Sequence, residues 1–414
     1  MLLQMLLKMV VKNGSLTVVD ANGKATNVGN GEGPNVTVRL HDNKVGRDIA
    51  LNPYLRLGEA YMDGRLTVDE PHGIYELIDM LTSSLGNDYA GPVFRLQARW
   101  RRLKRRIDQH NPVGKAQQNV AHHYDLDGGI YDLFLDEDKQ YSCAYFSRPD
   151  MTLEEAQLAK KRHIAAKLRI EPGMRVLDIG CGWGGMALTL AEECGAQVVG
   201  VTLSREQHAV AVRRAKERGL QDRVDFRLED YRELTEKFDR IVSVGMFEHV
   251  GIGHYAEYFD AVRNLLTDDG IALIHTIGRL DPPGATNAWI AKYIFPGGYI
   301  PALSEMSAAV ENAGIFMTDI EVLRLHYAET LREWRRRFMA HWDEAKRIYD
   351  ERFCRMWEFY LVGSETSFRN EGMVNFQMQI TKKIDALPLT RDYMLEGEHR
   401  LGAEPAMEQR LAGD

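Results

Sequence analysis

The sequence predicts an α/β protein in which a doubly wound, mostly parallel sheet follows a small α+β unit. Three observations carry that prediction. From about residue 119 onward, short β-rich runs alternate with helical stretches, the signature of a parallel sheet covered by helices. One of these runs passes directly into a glycine-rich loop and then a helix. Before residue 90, two segments alternate apolar and polar residues, as half-buried strands do. The length of 414 residues favours two or three domains. With 44% hydrophobic and 27% charged residues the composition is that of a soluble globular protein, which excludes a disordered chain, a collagen and a coiled coil. No apolar run approaches the ~18 residues of a membrane-spanning helix. The apolar segment MLLQMLLKMVV is interrupted by Gln4 and Lys8 and lacks the charged region and cleavage site of a secretory signal. Cys143, Cys181, Cys194 and Cys354 form no CxxC pair and no metal-ligand spacing, so no metal site is expected and a reducing cytoplasm is the default.

Taken in chain order, SLTVVD (15–20) and NVTVRL (35–40) are the first strands, separated by a Gly/Asn-rich turn (27–35). A helix follows over IYELIDMLTSSL (74–85). These residues make up an N-terminal unit over 1–90, a basic linker occupies 91–118, and a larger domain runs from 119 to 414. Its strands are RVLDIG (175–180), QVVGVTL (197–203), VDFRLED (224–230), FDRIVSVG (238–245) and GIALIHTIG (270–278). Between the second and third, a helix over 204–219 opens with Ser204 as N-cap and Gln207 three residues on, a capping box.

Net charge is −8, yet residues 91–115 hold eight Lys and Arg against the single Asp108. An acidic chain is not expected to bind nucleic acid, but a concentrated basic stripe around Trp100 and Leu103 suits an anionic membrane surface, at about 1 kcal/mol per basic residue. A solvated helix face or linker is the plain alternative.

The strand RVLDIG feeds into Gly180-Cys181-Gly182-Trp183-Gly184-Gly185. Glycines at this spacing let the backbone turn sharply and approach a ligand ahead of a helix N-terminus. The spacing also fits a dinucleotide fingerprint, but the second strand ends at Thr202, where such an enzyme needs an acidic residue for the ribose. Asp178, two residues before the first glycine, instead gives a pattern that resembles the first motif of S-adenosylmethionine-dependent methyltransferases. With the flanking segments HHYDLDGGIYDLFLD (122–136), YSCAYF (141–146), GVTLSREQ (200–207), MFEHVG (246–251), HTIG (275–278), YIFPGGYIPAL (293–303), HYAETLREW (326–334) and WEFYL (357–361), the chain resembles the cyclopropane-fatty-acyl-phospholipid synthase family over about 119–385. The N-terminal unit is more weakly similar to the small lipid-contacting domain of its longer members.

The resemblance implies a seven-stranded methyltransferase-type sheet with S-adenosylmethionine above its C-terminal edge. Leu177, Asp178, Gly180, Gly182, Gly184 and Gly185 would surround the methionine part, with Tyr141 and Ser142 closing over it. Thr202 and Gln207 would meet the ribose, and Leu228 and Glu229 the adenine. It also implies a bound bicarbonate cradled by Cys143, Glu248, His275, the backbone of Ile277, and Tyr327. An isolated cis alkene that takes a methyl from a sulfonium is left as a cation, which closes a ring by losing a proton from that methyl. A weak, positioned base suits the step. Taken singly, Cys143 reads as a buried hydrophobe, His275 as a core histidine, Glu248 as a helix cap and Tyr327 as packing. Their joint occurrence at family positions is what points to a site.

The expected activity is therefore cyclopropanation of unsaturated acyl chains in membrane phospholipids by a cytoplasmic, peripherally bound enzyme. A fatty-acyl methyltransferase leaving a methyl branch and a non-catalytic lipid-binding protein remain the alternatives, and a homodimer is left open. One departure is noted: Ser364 stands where many relatives carry cysteine.

Overall fold

The computed structural model describes residues 2–85 and 129–402, so the basic stretch, His122 and His123 lie outside the described residues. The chain divides into two compact units, and neither is continuous in sequence. The first gathers residues 2–85, 284–296 and 328–373, and the second 129–283, 297–327 and 374–402. Packing thus divides the chain differently from the linear boundaries read from sequence. The reason is visible within the first unit, where Val362 joins the core of Leu16, Val36, Ile74 and Leu77. Gly58 there lies so close to Trp289 and Phe359 that a Cβ would meet the indole nitrogen at 2.5 Å.

In this first unit, β1 (Ser15–Val19), β2 (Ala25–Gly29), β3 (Asn35–Leu40) and β4 (Leu66–Val68) form a sheet in the order β2-β1-β3-β4. The segment read as a plain turn supplies part of β2, which pairs antiparallel with β1. The helix Ile74–Leu85 has the predicted bounds.

The second unit carries a seven-stranded sheet built from β5 (Arg175–Ile179), β6 (Gln197–Thr202), β7 (Val224–Leu228), β8 (Phe238–Val244), β9 (Leu266–Arg279), β10 (Phe316–Leu323) and β11 (Met373–Thr381). Its order is β10-β11-β9-β8-β5-β6-β7. β5 to β9 pair in parallel, and β10 pairs antiparallel with β11. Both faces are buried, which is why the parallel strands read as nearly continuous apolar runs. In β5, Val176 packs on one side with Ile164, Leu188 and Ala191, while Leu177 and Ile179 join Phe259, Val262 and Met306 on the other. From β5 the chain first moves outward to β6 and β7, then returns to the other flank as β8. That reversal leaves a crevice at the carboxyl ends of β5 and β8, the place where open α/β sheets bind ligands.

Candidate active site

A cavity occupies this crevice. It is lined by the ends of four strands: Asp178 to Gly182, Val201 to Leu203, Glu229 to Arg232, and Val244 to Met246. Three glycines, Gly180, Gly182 and Gly184, make the loop after β5 possible by taking positive φ. Gly180 has φ +81° and Gly184 φ +86°, a left-handed region that penalises any Cβ. Gly184 then caps the helix Gly185–Glu193. Gly185 is needed for another reason, because a Cβ there would lie 2.4 Å from the Asp138 carboxylate. Asp138 pins its own segment over the loop by accepting from Lys161 (2.6 Å) and Gln140 (3.0 Å) and by pairing with Arg214.

Lys160 is fully buried and donates to two cavity-lining residues, at Gln140 Oε1 (2.7 Å) and Ser142 Oγ (2.8 Å). In its charged form Lys160 only donates, so the Ser142 oxygen then accepts and leaves its own O–H to point elsewhere. Burial lowers the pKa of Lys160 to about 7 and raises that of Asp178 to about 7. Asp178 is 1% exposed and its Oδ2 has no hydrogen-bond partner, an unsatisfied carboxylate oxygen among residues that face the cavity. Thr202 donates to Gln207 Oε1 at 3.1 Å. Ser204 caps its helix through the Gln207 N–H as predicted, but the Gln207 side chain turns to Thr202 instead of completing the box.

Next to the cavity lies a second polar group of residues. Glu248, in a short 3-10 turn after β8, accepts from the Ile277 N–H at 2.6 Å through Oε1, while its Oε2 is buried without a partner. Its own carbonyl is held by the Tyr299 N–H at 3.0 Å. Burial is the main cause that raises the Glu248 pKa to about 7. His275, on β9, is buried among amides: Gln377 Nε2 stands 3.2 Å from Nδ1, and Asn375 Nδ2 3.4 Å from Nε2. The His275 carbonyl accepts from Gly245, whose backbone passes beside Ser142. Cys143 is buried one residue on, and Tyr327 follows His326, whose Nδ1 accepts from Phe146.

Comparison with known proteins bears directly on this arrangement. The family described as Mycolic acid cyclopropane synthetase matches residues 112–378, and a domain family of unknown function matches 2–87. The chain belongs to the cyclopropane synthase family. The cyclopropane-fatty-acyl-phospholipid synthase of Escherichia coli K12 is 38% identical over 367 residues, covering 86% of this chain and 90% of that protein. A probable fatty acid methyltransferase of Pseudomonas putida is 36% identical over 384 residues, covering 88% and 92%. The crystal structure of mycolic acid cyclopropane synthase CmaA1 complexed with SAH and CTAB superposes with a TM-score of 0.61 at 34% identity, covering 66% of this chain and 99% of that one. This synthase-family chain is thus an S-adenosylmethionine-dependent methyltransferase by fold and kinship.

Of the cofactor residues expected from sequence, Tyr141, Ser142, Asp178, Gly180, Gly182, Gly185, Thr202, Gln207 and Glu229 line the cavity. Leu177 is instead packed in the core, Gly184 lies behind the loop against Phe226, and Leu228 is 45% exposed. Of the expected cradle, Glu248 and Ile277 are joined directly, but the Ile277 N–H is taken by the Glu248 carboxylate and its carbonyl accepts from Thr276 Oγ1. Sequence reading missed Lys160, Asp138, Asn375 and Gln377. It also missed Trp183, which packs edge-on against Tyr131 beside Tyr141. Ser364 sits half-buried on the helix Glu351–Asn370. No group of His, Cys, Asp and Glu among the described residues is placed to hold a metal.

Proposed function

We propose that this protein transfers a methylene unit from S-adenosylmethionine to the cis double bond of an unsaturated acyl chain in a membrane phospholipid, closing a cyclopropane ring, with bicarbonate bound against Glu248 as general base. The observation that carries the reading is the pair of buried, half-satisfied carboxylates, Asp178 in the cavity wall and Glu248 beside it. The unpartnered Asp178 Oδ2 fits a cationic ligand, and the unpartnered Glu248 Oε2 fits an anion that carries an O–H. When bound, S-adenosylmethionine supplies an electrophilic methyl group and bicarbonate a weak base. The glycine loop, Ser142 and Gln207 would hold the former, and Glu248, Cys143, His275 and Tyr327 the latter. Glu248 is kept in place from both sides, by Ile277 on its carboxylate and Tyr299 on its carbonyl. The dry surroundings of this group strengthen any attraction between its charge and a developing cation.

Phospholipid is supported by the named activity of the Escherichia coli relative, and attachment to a membrane surface by the helix Leu2–Val10. That helix buries Val10 and leaves Leu2, Met5 and Met9 exposed. No helix among the described residues is long and apolar enough to cross a bilayer.

The test is mass spectrometry of acyl chains after incubating the protein, cis-unsaturated phospholipid vesicles, bicarbonate and methyl-labelled S-adenosylmethionine. The expected product gains one CH₂ unit, about 14 Da plus the mass of the label that unit retains, and resists mild hydrogenation. A labelled product that takes up hydrogen would favour a second reading, methyl transfer without ring closure, which the Pseudomonas putida relative's name supports. No labelled lipid, with S-adenosylmethionine still bound, would overturn the lipid substrate.

A further inference from the structure

We propose that Lys167 is a positioning residue which, through the Gln377 amide, locks His275 in the tautomer that carries its proton on Nε2. The inference rests on the reading of His275 as part of the anion cradle.

Lys167 is 2% exposed, on the helix Leu153–Leu168, and its ammonium donates to Gln377 Oε1 at 2.8 Å. An ammonium has no lone pair, so the amide oxygen of Gln377 must face it. The amide NH₂ is then turned the other way, and it lies 3.2 Å from His275 Nδ1. Nδ1 therefore accepts. Burial, together with the neighbouring Lys160 and Lys167, drives the pKa of His275 well below its usual value, so the ring is neutral and its single proton sits on Nε2.

Lys167 is itself held. Glu321 Oε2 accepts from its ammonium and also from His163 Nε2, while His163 Nδ1 pairs with Glu398. Tyr145, two residues after Cys143, stacks on the His163 ring at 4.1 Å. The orientation of one imidazole proton thus depends on a row of groups running from Glu398 to His275, all within the second unit. At its inner end Asn375 is 2% exposed, with its amide 3.4 Å from Nε2 and its Oδ1 otherwise without a partner, so an Nε2–H ring requires that amide to turn its oxygen toward the ring. An anion such as bicarbonate then shares the Nε2–H with that Asn375 oxygen. The opposite tautomer would present a lone pair to the anion.

The experiment uses full-length protein labelled with ¹⁵N-histidine, His275 being assigned by its loss in His275→Asn. Two-bond proton–nitrogen correlations report which ring nitrogen is protonated. Wild type is expected to show the Nε2–H form. Gln377→Glu, which presents an acceptor to Nδ1, is expected to switch it, with kcat falling about tenfold to a hundredfold and the Kd for S-adenosylmethionine unchanged. Lys167→Met, which frees the amide to turn, is expected to give both forms. An Nδ1–H ring in wild type overturns the proposal even where the variants do not fold, and so does an unswitched ring in Gln377→Glu. A switched ring with unaltered bicarbonate-dependent turnover overturns the placement of His275 in the cradle, and the positioning role with it, while leaving the cofactor cavity untouched.

Discussion

Gly184 and Gly182 stand two residues apart with similar backbone twists and opposite surroundings. At Gly184 a Cβ would meet the Phe226 ring at 2.6 Å and Ala211 at 3.0 Å, whereas at Gly182 nothing lies within 4 Å. Gly182→Ala is expected to cost only backbone strain, about 1–2 kcal/mol. Gly184→Ala should cost clearly more in urea unfolding and also weaken S-adenosylmethionine binding. The glycine pattern was legible in sequence, but which glycine faces the cavity and which faces a ring was not. The two buried carboxylates make pH predictions. Asp178 titrates near 7 in the free protein, and a cationic ligand favours its ionised form. Binding of S-adenosylmethionine should therefore release a proton and tighten as pH rises from 6 to 8, read by calorimetry in buffers of different ionisation heat. Asp178→Asn should flatten that dependence. Glu248 holds its proton up to about 7 folded but only to 4.5 unfolded, so the folded state binds more protons in that window. Its stabilising contribution is complete below 4.5 and lost as pH rises through 7. Glu248→Gln should abolish ring formation yet be more stable than wild type above pH 7, by on the order of 3 kcal/mol, the gain shrinking toward pH 4.5 in thermal melts.

Among the elements, the ones that reading missed are informative about the ones it found. β5 to β9 are apolar because both faces are covered, and so they announce themselves. β11 does not: it reads MVNFQMQIT, with Asn375, Gln377 and Gln379 all buried. Those amides are spent on His275, Lys167 and Tyr393, contacts that no periodicity reveals. The helix Leu153–Leu168 misleads in the same way. Its Lys160, Lys161, His163 and Lys167 suggest a solvated face, yet all four are buried against carboxylates, amides and a hydroxyl. The helix begins with a complete capping box, Thr152 accepting from the Glu155 N–H and Glu155 from the Thr152 N–H. Thr152→Ala should cost about 1 kcal/mol in denaturant unfolding. The structural element that places the buried lysines is thus itself anchored at the end farthest from Lys167.

For the molecule as a whole, the proposed activity on membrane phospholipid calls for attachment to a membrane surface. The apolar stripe of Leu2, Met5 and Met9 belongs to the first unit and was legible only as an interrupted apolar run; the basic stretch at 91–115 lies outside the described residues. Replacing the three stripe residues with serine should reduce co-sedimentation with anionic vesicles about tenfold or more, with S-adenosylmethionine affinity unchanged. The chain's order also matters while the protein is being made. β9 ends at Arg279, but β11, its neighbour in the sheet, begins only at Met373. At about 5–20 residues per second, the apolar edge of β9 emerges from the ribosome roughly 5–20 s before the strand that covers it. Throughout that interval the nascent sheet has an open, sticky border, so chaperone supply, rather than the strength of the finished fold, is expected to set how much of this enzyme a cell accumulates.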